Sequence, residues 1–287
     1  MNLRPVINAL VPKCFPLFRL FVLRPLWWWK CSTERRLSAG QQVSFSKKPS
    51  VLVFTVHRSG STFLGRLLHT LVNQSDMVMA DFDTFFALQE IPVREGFKDT
   101  DFINRVFSPE GYVYGPCRSF RDIPDVGRYR KLLLLRDPRD ALVSKYYSIA
   151  YSHIPVSMNL LRRRRKALTE TVDQFVLEEA EELRQKYAEY ADKVLKDKKT
   201  LYCRFEDMMS KPSDFLERLQ EFMEIHLPRR EIKKLLGKQM KPPAKEDIYR
   251  HRRSGKTGGY RAKLTPATIS QLNHIFGNLL ETFGYSA

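Results

Sequence analysis

The stretch VLVFTVHRSGSTFLGRLL, residues 51–68, runs an apolar, β-branched segment into a short polar loop and then resumes with helical spacing. Val51 to Val56 has the length and composition of a buried strand. Phe63, Leu64, Leu67, Leu68, Leu71 and Val72 recur at helical steps and so share one face of a helix. The loop between them holds Arg58, Ser59, Gly60, Ser61 and Thr62. Backbone N–H groups at a helix start have no partner within the helix, which makes this turn an anion site, and the hydroxyls add donors. A loop for Mg–ATP would read G-x-x-x-x-G-K-[ST], with lysine on the phosphates and a hydroxyl on the metal. Here there is a single glycine and no lysine. The loop suits a phosphate-sized anion and lacks the elements for Mg–ATP.

The same strand-then-helix grammar recurs downstream. LLLL at 132–135 reads as a second buried strand, followed by RDPRD and a helical stretch from Ala141 to Tyr151, with Pro138 in its first turn. TLYCRF at 200–205 reads as a third strand, and KPSDFLERLQEFM as a helix with Ser213 as its cap. A long charged helix is expected over about 170–196. Strands alternating with helices predict an α/β fold, a parallel sheet flanked by helices. At 287 residues and 43% hydrophobic, the chain suits one core, expected over 49–287 behind a leader at 1–48.

The net charge of +17 is uneven: residues 1–48 hold nine Lys/Arg and one acid, Glu34. The leader is apolar but interrupted by Lys13, Arg19 and Arg24 and broken by Pro5, Pro12, Pro16 and Pro25, so no membrane span is expected. Its tryptophans beside basic residues suit a membrane interface or an organelle transit segment, with packing on the domain as the bland alternative. RRRRK at 162–166 is either a solvated helix face or a polyanion contact. Four cysteines form no CxxC or Cys/His cluster, which argues against a zinc site or disulfide framework and points to the cytoplasm.

Two further stretches carry anion chemistry. KLLLLRDPRDALVSKYYS places Arg136 at a strand end and Ser144 eight residues later, suited to clamping one anion between guanidinium and hydroxyl. HRRSGKTGGYR, residues 251–261, has the glycines and cations of a loop that closes over phosphates. Together these residues resemble the sulfotransferases that use 3′-phosphoadenosine 5′-phosphosulfate (PAPS). HRSGSTF is similar to their 5′-phosphosulfate loop, PKSGTTW, with Arg58 for the lysine. LRDPRDALVSKYYS resembles the 3′-phosphate motif, RSGKTGGYR the RKGxxGDWK element, and RFEDMMSKP the YEDMxxxP turn.

The resemblance implies a P-loop-like α/β fold that moves a sulfuryl group from PAPS to a hydroxyl or amine, without a metal. It gives Arg58 the leaving 5′-phosphate, with Ser59, Gly60, Ser61 and Thr62 fixing the phosphosulfate. It gives Arg136, Ser144, Arg253, Ser254 and Gly255 the 3′-phosphate, and Phe63 a place near the adenine. Cytosolic members carry KTHLP ahead of the 3′-phosphate strand, but YGPCRSFRDIP (114–124) has no histidine. Other branches use a carboxylate after the first helix. Here that points to Asp83, then Asp81, with Glu90 and His153 behind them and a helix cap as the alternative role. A small-molecule, lipid or carbohydrate acceptor is expected, with peripheral membrane contact through the leader and no nucleic acid. The rival readings are a P-loop kinase using ATP and magnesium, and a non-catalytic binder of polyanions or acidic lipid.

Overall fold

In the computed structural model, residues 19–152, 158–239, 246–249 and 257–286 are described. Strands β1 (Val51–Thr55), β2 (Val78–Ala80), β3 (Tyr112–Cys117), β4 (Arg130–Leu135) and β5 (Thr200–Arg204) form one sheet of order β2-β3-β1-β4-β5. Every pairing is parallel. The pleat divides the apolar runs between two cores. Leu52, Phe54, Tyr112, Tyr114, Leu133 and Leu135 face one side, and Val51, Val53, Val113, Leu132 and Leu134 the other. A strand buried on both faces needs helices on both, and both are covered.

The helices used below are α1 (Arg24–Lys30), α2 (Ser32–Ser38), α3 (Ser61–Val72), α4 (Phe82–Ala87), α5 (Pro138–Tyr147), α6 (Met158–Ala167), α7 (Val172–Tyr190), α8 (Phe205–Ser210), α9 (Pro212–Met223) and α10 (Pro266–Phe276). α3 and α9 cover one face of the sheet through Leu64, Leu67, Leu68, Phe215 and Leu219. α7 and α10 belong to the other core, through Phe175, Val176, Tyr187, Leu272 and Phe276. From β1 the chain travels to the β2 edge, returns through β3, and then crosses to β4 on the far side of β1. That reversal opens a crevice at the carboxyl end of β1, where parallel α/β sheets bind ligands.

Strands β1, β4 and β5 lie where the apolar runs place them; β2 and β3 carry no clear sequence signal. β3 is interrupted by Gly115 and Pro116, residues that argue against a central strand. Ser213 is not a cap. Helix α9 starts at Pro212, whose fixed φ suits a first turn, and its cap position is Lys211, with no side-chain bond. Helix α5 starts at Pro138 and is capped by Asp137, which accepts from the Arg139 amide.

The boundary at residue 48 does not separate two bodies among the described residues. Leu23, Cys31 and Leu37 are buried, and the latter two join the larger core. Trp27 packs 5.5 Å from Phe85 of α4. No helix among the described residues is long and apolar enough to cross a membrane. RRRRK lies on α6 and is largely spoken for: buried Arg164 donates to the Ile149 carbonyl (2.8 Å), Arg163 pairs with Glu179, and Lys166 with Glu178 and Glu170. Arg162 and Arg165 remain exposed.

Candidate active site

Because all five strands run the same way, each delivers its next residue to one edge of the sheet. In sheet order these are Asp81 after β2, Arg118 after β3, the loop 56–60 after β1, Arg136 after β4 and Phe205 after β5. Neighbouring strands stand ~4.8 Å apart, so Asp81 lies two steps, about 10 Å, to one side of the β1 loop.

Gly60 sets the loop. It has φ +84°, and a Cβ added there would lie 2.9 Å from Phe205 Cδ2 and 3.0 Å from Met208 Cε. Its carbonyl accepts from the Phe63 and Leu64 amides at 2.9 and 3.0 Å, which starts α3. The amides of Ser61 and Thr62 stand at the first two helical positions, where no carbonyl lies one turn back. Ser59 is fully buried and its hydroxyl has no partner. Thr62 is exposed, and Phe63 packs on the α3 side core.

Arg58 also has positive φ, +73°. Its Nε donates to Ser144 Oγ (3.1 Å) and its Nη1 to Ser148 Oγ (3.2 Å). The sequence separates Arg58 and Ser144 into two subsites; the structure brings them into contact. Ser148 was not foreseen, although it follows Ser144 by four residues and so shares its face of the helical segment. Arg136 is buried, donates to the Arg58 carbonyl (3.3 Å), and lies 3.6 Å from Asp140. Its guanidinium sits over the Phe205 ring at 4.6 Å. One aromatic ring thus limits the loop glycine on one side and supports the Arg136 cation.

The strand ends are held from below by α7. The Tyr190 hydroxyl donates to the Thr55 carbonyl (2.9 Å) and the Tyr187 hydroxyl to the Arg136 carbonyl. Arg139, nearly fully buried, donates to Asp137, to Asn273 Oδ1 (2.7 Å) and to the Ser286 carbonyl (2.6 Å), so its role is structural. Asp140 accepts from the Gly258 and Tyr260 amides at 2.7 and 2.9 Å. The described end of the third anion motif is thereby tied beside Arg136. Arg253, Ser254 and Gly255 lie outside the described residues, as does His153.

On the other side of β1 the carboxylates have distinct settings. Asp83 is buried and accepts from the Arg118 amide (3.0 Å), the Arg118 guanidinium (3.5 Å) and the Arg121 guanidinium. Both of its oxygens are thus engaged, each by an arginine. Asp81 caps α4, accepting from the Thr84 amide (3.0 Å) and hydroxyl (2.6 Å). Burial nevertheless raises its carboxyl above the usual range, the Thr84 bonds only opposing the shift. The Asp81 amide donates to Glu34 Oε1 of α2 (2.5 Å). Glu34 is itself raised by burial, and its second oxygen has no partner. Glu90 has positive φ, +60°, in the turn after α4. Arg118, Arg121 and Glu34 were not foreseen; the first two follow a strand that the sequence hides.

The family model described as "Sulfotransferase domain" matches residues 127–284, a span that takes in Arg136 and Ser144 and begins after the β1 loop. No curated protein sequence matches the chain. Among solved structures, mouse sulfotransferase SULT7A1 in complex with PAP has 16% identity and a TM-score of 0.52, over 87% of this chain and 89% of that one. Retinol dehydratase in complex with androsterone and the inactive cofactor PAP has 14% identity and a TM-score of 0.53, over 88% and 85%. Sulfotransferase STF9 from Mycobacterium avium has 13% identity and a TM-score of 0.50, over 88% and 80%. At these identities the structures speak for the fold, the parallel sheet flanked by helices expected from the strand–helix alternation. The family match covers more than half of the 287 residues, and on that ground the chain is a sulfotransferase and belongs to the sulfotransferase domain family.

Proposed function

We propose that this sulfotransferase takes PAPS as donor and passes its sulfuryl group to a hydroxyl or amine that approaches from the β3–β2 side. The observation that carries the reading is the convergence of Arg58 and Arg136 with Ser144 and Ser148 over the α3 N-terminus. Two cations, two hydroxyls and helix-start amides form a site for more than one phosphate. The unpartnered, fully buried Ser59 hydroxyl fits the same use. Two of the solved relatives named above, SULT7A1 and retinol dehydratase, were determined with PAP, the desulfated product of PAPS.

In the proposed reaction the acceptor oxygen or nitrogen forms a bond to sulfur while the bond from sulfur to the 5′-phosphate oxygen breaks. Negative charge builds on that phosphate, and cations aimed at it lower the barrier. The charge is supplied here by arginine, with no metal ion required. Arg58 is the nearer cation by its place in the loop, and in the structure its guanidinium is held by Ser144 and Ser148. Arg136 on its Phe205 platform reads the 3′-phosphate, and Arg253, Ser254 and Gly255 of the third anion motif contribute to the same phosphate.

The acceptor's proton goes to a carboxylate on the β2 side. Asp83, first choice from the sequence, has both oxygens committed to arginines; Asp81 is bonded by Thr84 and has its carboxyl raised by burial, the direction that favours accepting a proton. Titration calorimetry with adenosine 3′,5′-bisphosphate, AMP and Mg–ATP tests the donor. The bisphosphate should bind at least about tenfold tighter than AMP, because charge-assisted contacts contribute ~1.5–3 kcal/mol each. Tighter binding of Mg–ATP would replace this reading with a kinase. The polyanion binder is disfavoured by the ion pairs and bonds that occupy Arg163, Arg164 and Lys166.

A further inference from the structure

The leader presents an apolar surface that the catalytic reading leaves unused. Phe21, Trp28 and Trp29 are 69%, 62% and 75% exposed, and Leu20 and Val22 are also exposed. Leu23, Cys31 and Leu37 point the other way and are buried. The segment therefore has two apolar faces, one packed inward and one open to solvent. Arg24, Lys30 and Arg36 are exposed around the open face. Arg35 lies over the Trp28 ring at 3.6 Å and donates to the Trp28 carbonyl.

The charge pattern selects the occupant. The one acid between residues 1 and 48 is Glu34, and it is 5% exposed, turned inward onto the Asp81 amide. The outward face of α1 and α2 thus shows cations and aromatics without an exposed carboxylate. Tryptophan and arginine are the residues that settle at a bilayer interface, and basic residues there gain from anionic headgroups. We infer that α1 and α2, with the helical turn Arg19–Leu23 before them, form a docking face for an anionic membrane surface, lying in the interface plane with Phe21, Trp28 and Trp29 inserted. This goes beyond the transfer reaction and does not depend on which donor the enzyme uses.

The chain offers its own reporter, because its three tryptophans, Trp27, Trp28 and Trp29, all lie in this segment. The full chain is mixed with phosphatidylcholine vesicles with and without phosphatidylserine, and emission and cosedimentation are read together. Blue-shifted emission and sedimentation are expected with phosphatidylserine only, both weakened by salt. Arg24→Gln/Lys30→Gln/Arg36→Gln keeps the fluorophores and should bind about a hundredfold more weakly, at about fivefold per charge. Trp28→Ser/Trp29→Ser should lose at least about tenfold in sedimentation while keeping its circular dichroism and adenosine 3′,5′-bisphosphate affinity. Equal binding to neutral vesicles, or no binding to either, overturns the inference. So does a concentration-dependent dimer that disappears in the tryptophan variant, which would make the occupant a second copy of the chain.

Discussion

Replacing Gly60 with alanine tests whether the anion loop depends on its backbone and its aromatic wall together. Two costs come directly from the structure. Gly60 sits at φ +84°, where an L-residue pays about 1–2 kcal/mol for the crowding of Cβ against the backbone. The new methyl would also stand 2.9 Å from Cδ2 of the buried Phe205 ring and 3.0 Å from Met208 Cε, the end of a flexible side chain, so the ring is the contact that resists. Overpacking of this kind costs about 1–3 kcal/mol. The sum, about 2–5 kcal/mol, is a large share of the ~5–15 kcal/mol that holds a domain folded. A displaced Phe205 also withdraws the ring beneath Arg136, a contact worth ~0.5–2 kcal/mol, or about two- to thirtyfold in affinity. Urea unfolding gives the first quantity and calorimetry with adenosine 3′,5′-bisphosphate the second. A destabilisation below about 1 kcal/mol with unchanged affinity would refute the reasoning, because the loop would then be able to reset φ without disturbing the Phe205–Arg136 pair.

Arg136→Ala should weaken adenosine 3′,5′-bisphosphate by about ten- to a hundredfold and AMP much less; equal losses would mean that Arg136 supports the fold rather than the 3′-phosphate. Asp81→Asn should lower turnover by ~10²–10⁴-fold at unchanged donor affinity, with loss of the acid limb of the pH–rate profile. Asp83→Asn should act on stability instead, by up to about 3–5 kcal/mol, because it strips the charge partner from buried Arg121; the reverse pattern would return the base to Asp83. Burial raises the Glu34 carboxyl, so the folded state keeps its proton where the unfolded chain has released it, and stability is lost as pH rises through the folded value. Glu34→Gln should therefore unfold at higher urea than the parent chain at about pH 8, with a difference that shrinks toward about pH 5. A difference that grows toward acid would show that the ionised carboxylate is the stabilising form.

What the sequence discloses follows from how each strand is buried. β1 and β4 are apolar on both faces, since each is sandwiched between helices, and such runs stand out without any periodicity. Each is followed by the turn proposed to bind an anion, so the proposed donor half of the site is legible as two strand ends and their loops. Legibility stops at side-chain direction. Spacing alone assigns Ser144 to Arg136, whereas the fold bends Arg58 across to Ser144 and Ser148. Phe205, which limits Gly60 and supports Arg136, belongs to a turn in which nothing local marks an aromatic residue as part of an anion site.

The proposed acceptor half leaves less trace in the sequence because it hangs on β2 and β3. β2 is three residues long, too short for any pattern, and β3 hides its apolar run behind Gly115 and Pro116. Without those strands, Arg118 and Arg121 look like ordinary surface cations, and Asp83 looks like a carboxylate awaiting a proton. Once β3 is in place the same residues become an ion-pair cluster in which Asp83 and Arg121 are buried and Arg118 is half-buried. Asp81 becomes the carboxylate whose environment, burial that raises it, carries the proposal that it accepts the proton. The leader follows the same logic at longer range. No local pattern reveals that Glu34 will turn inward, since its partner is a backbone amide 47 residues away. Yet that one contact turns the only acid of residues 1–48 away from the leader's outer face and ties α2 to the β2 edge, so the cationic surface of the leader and the proposed acceptor side of the sheet share one hydrogen bond.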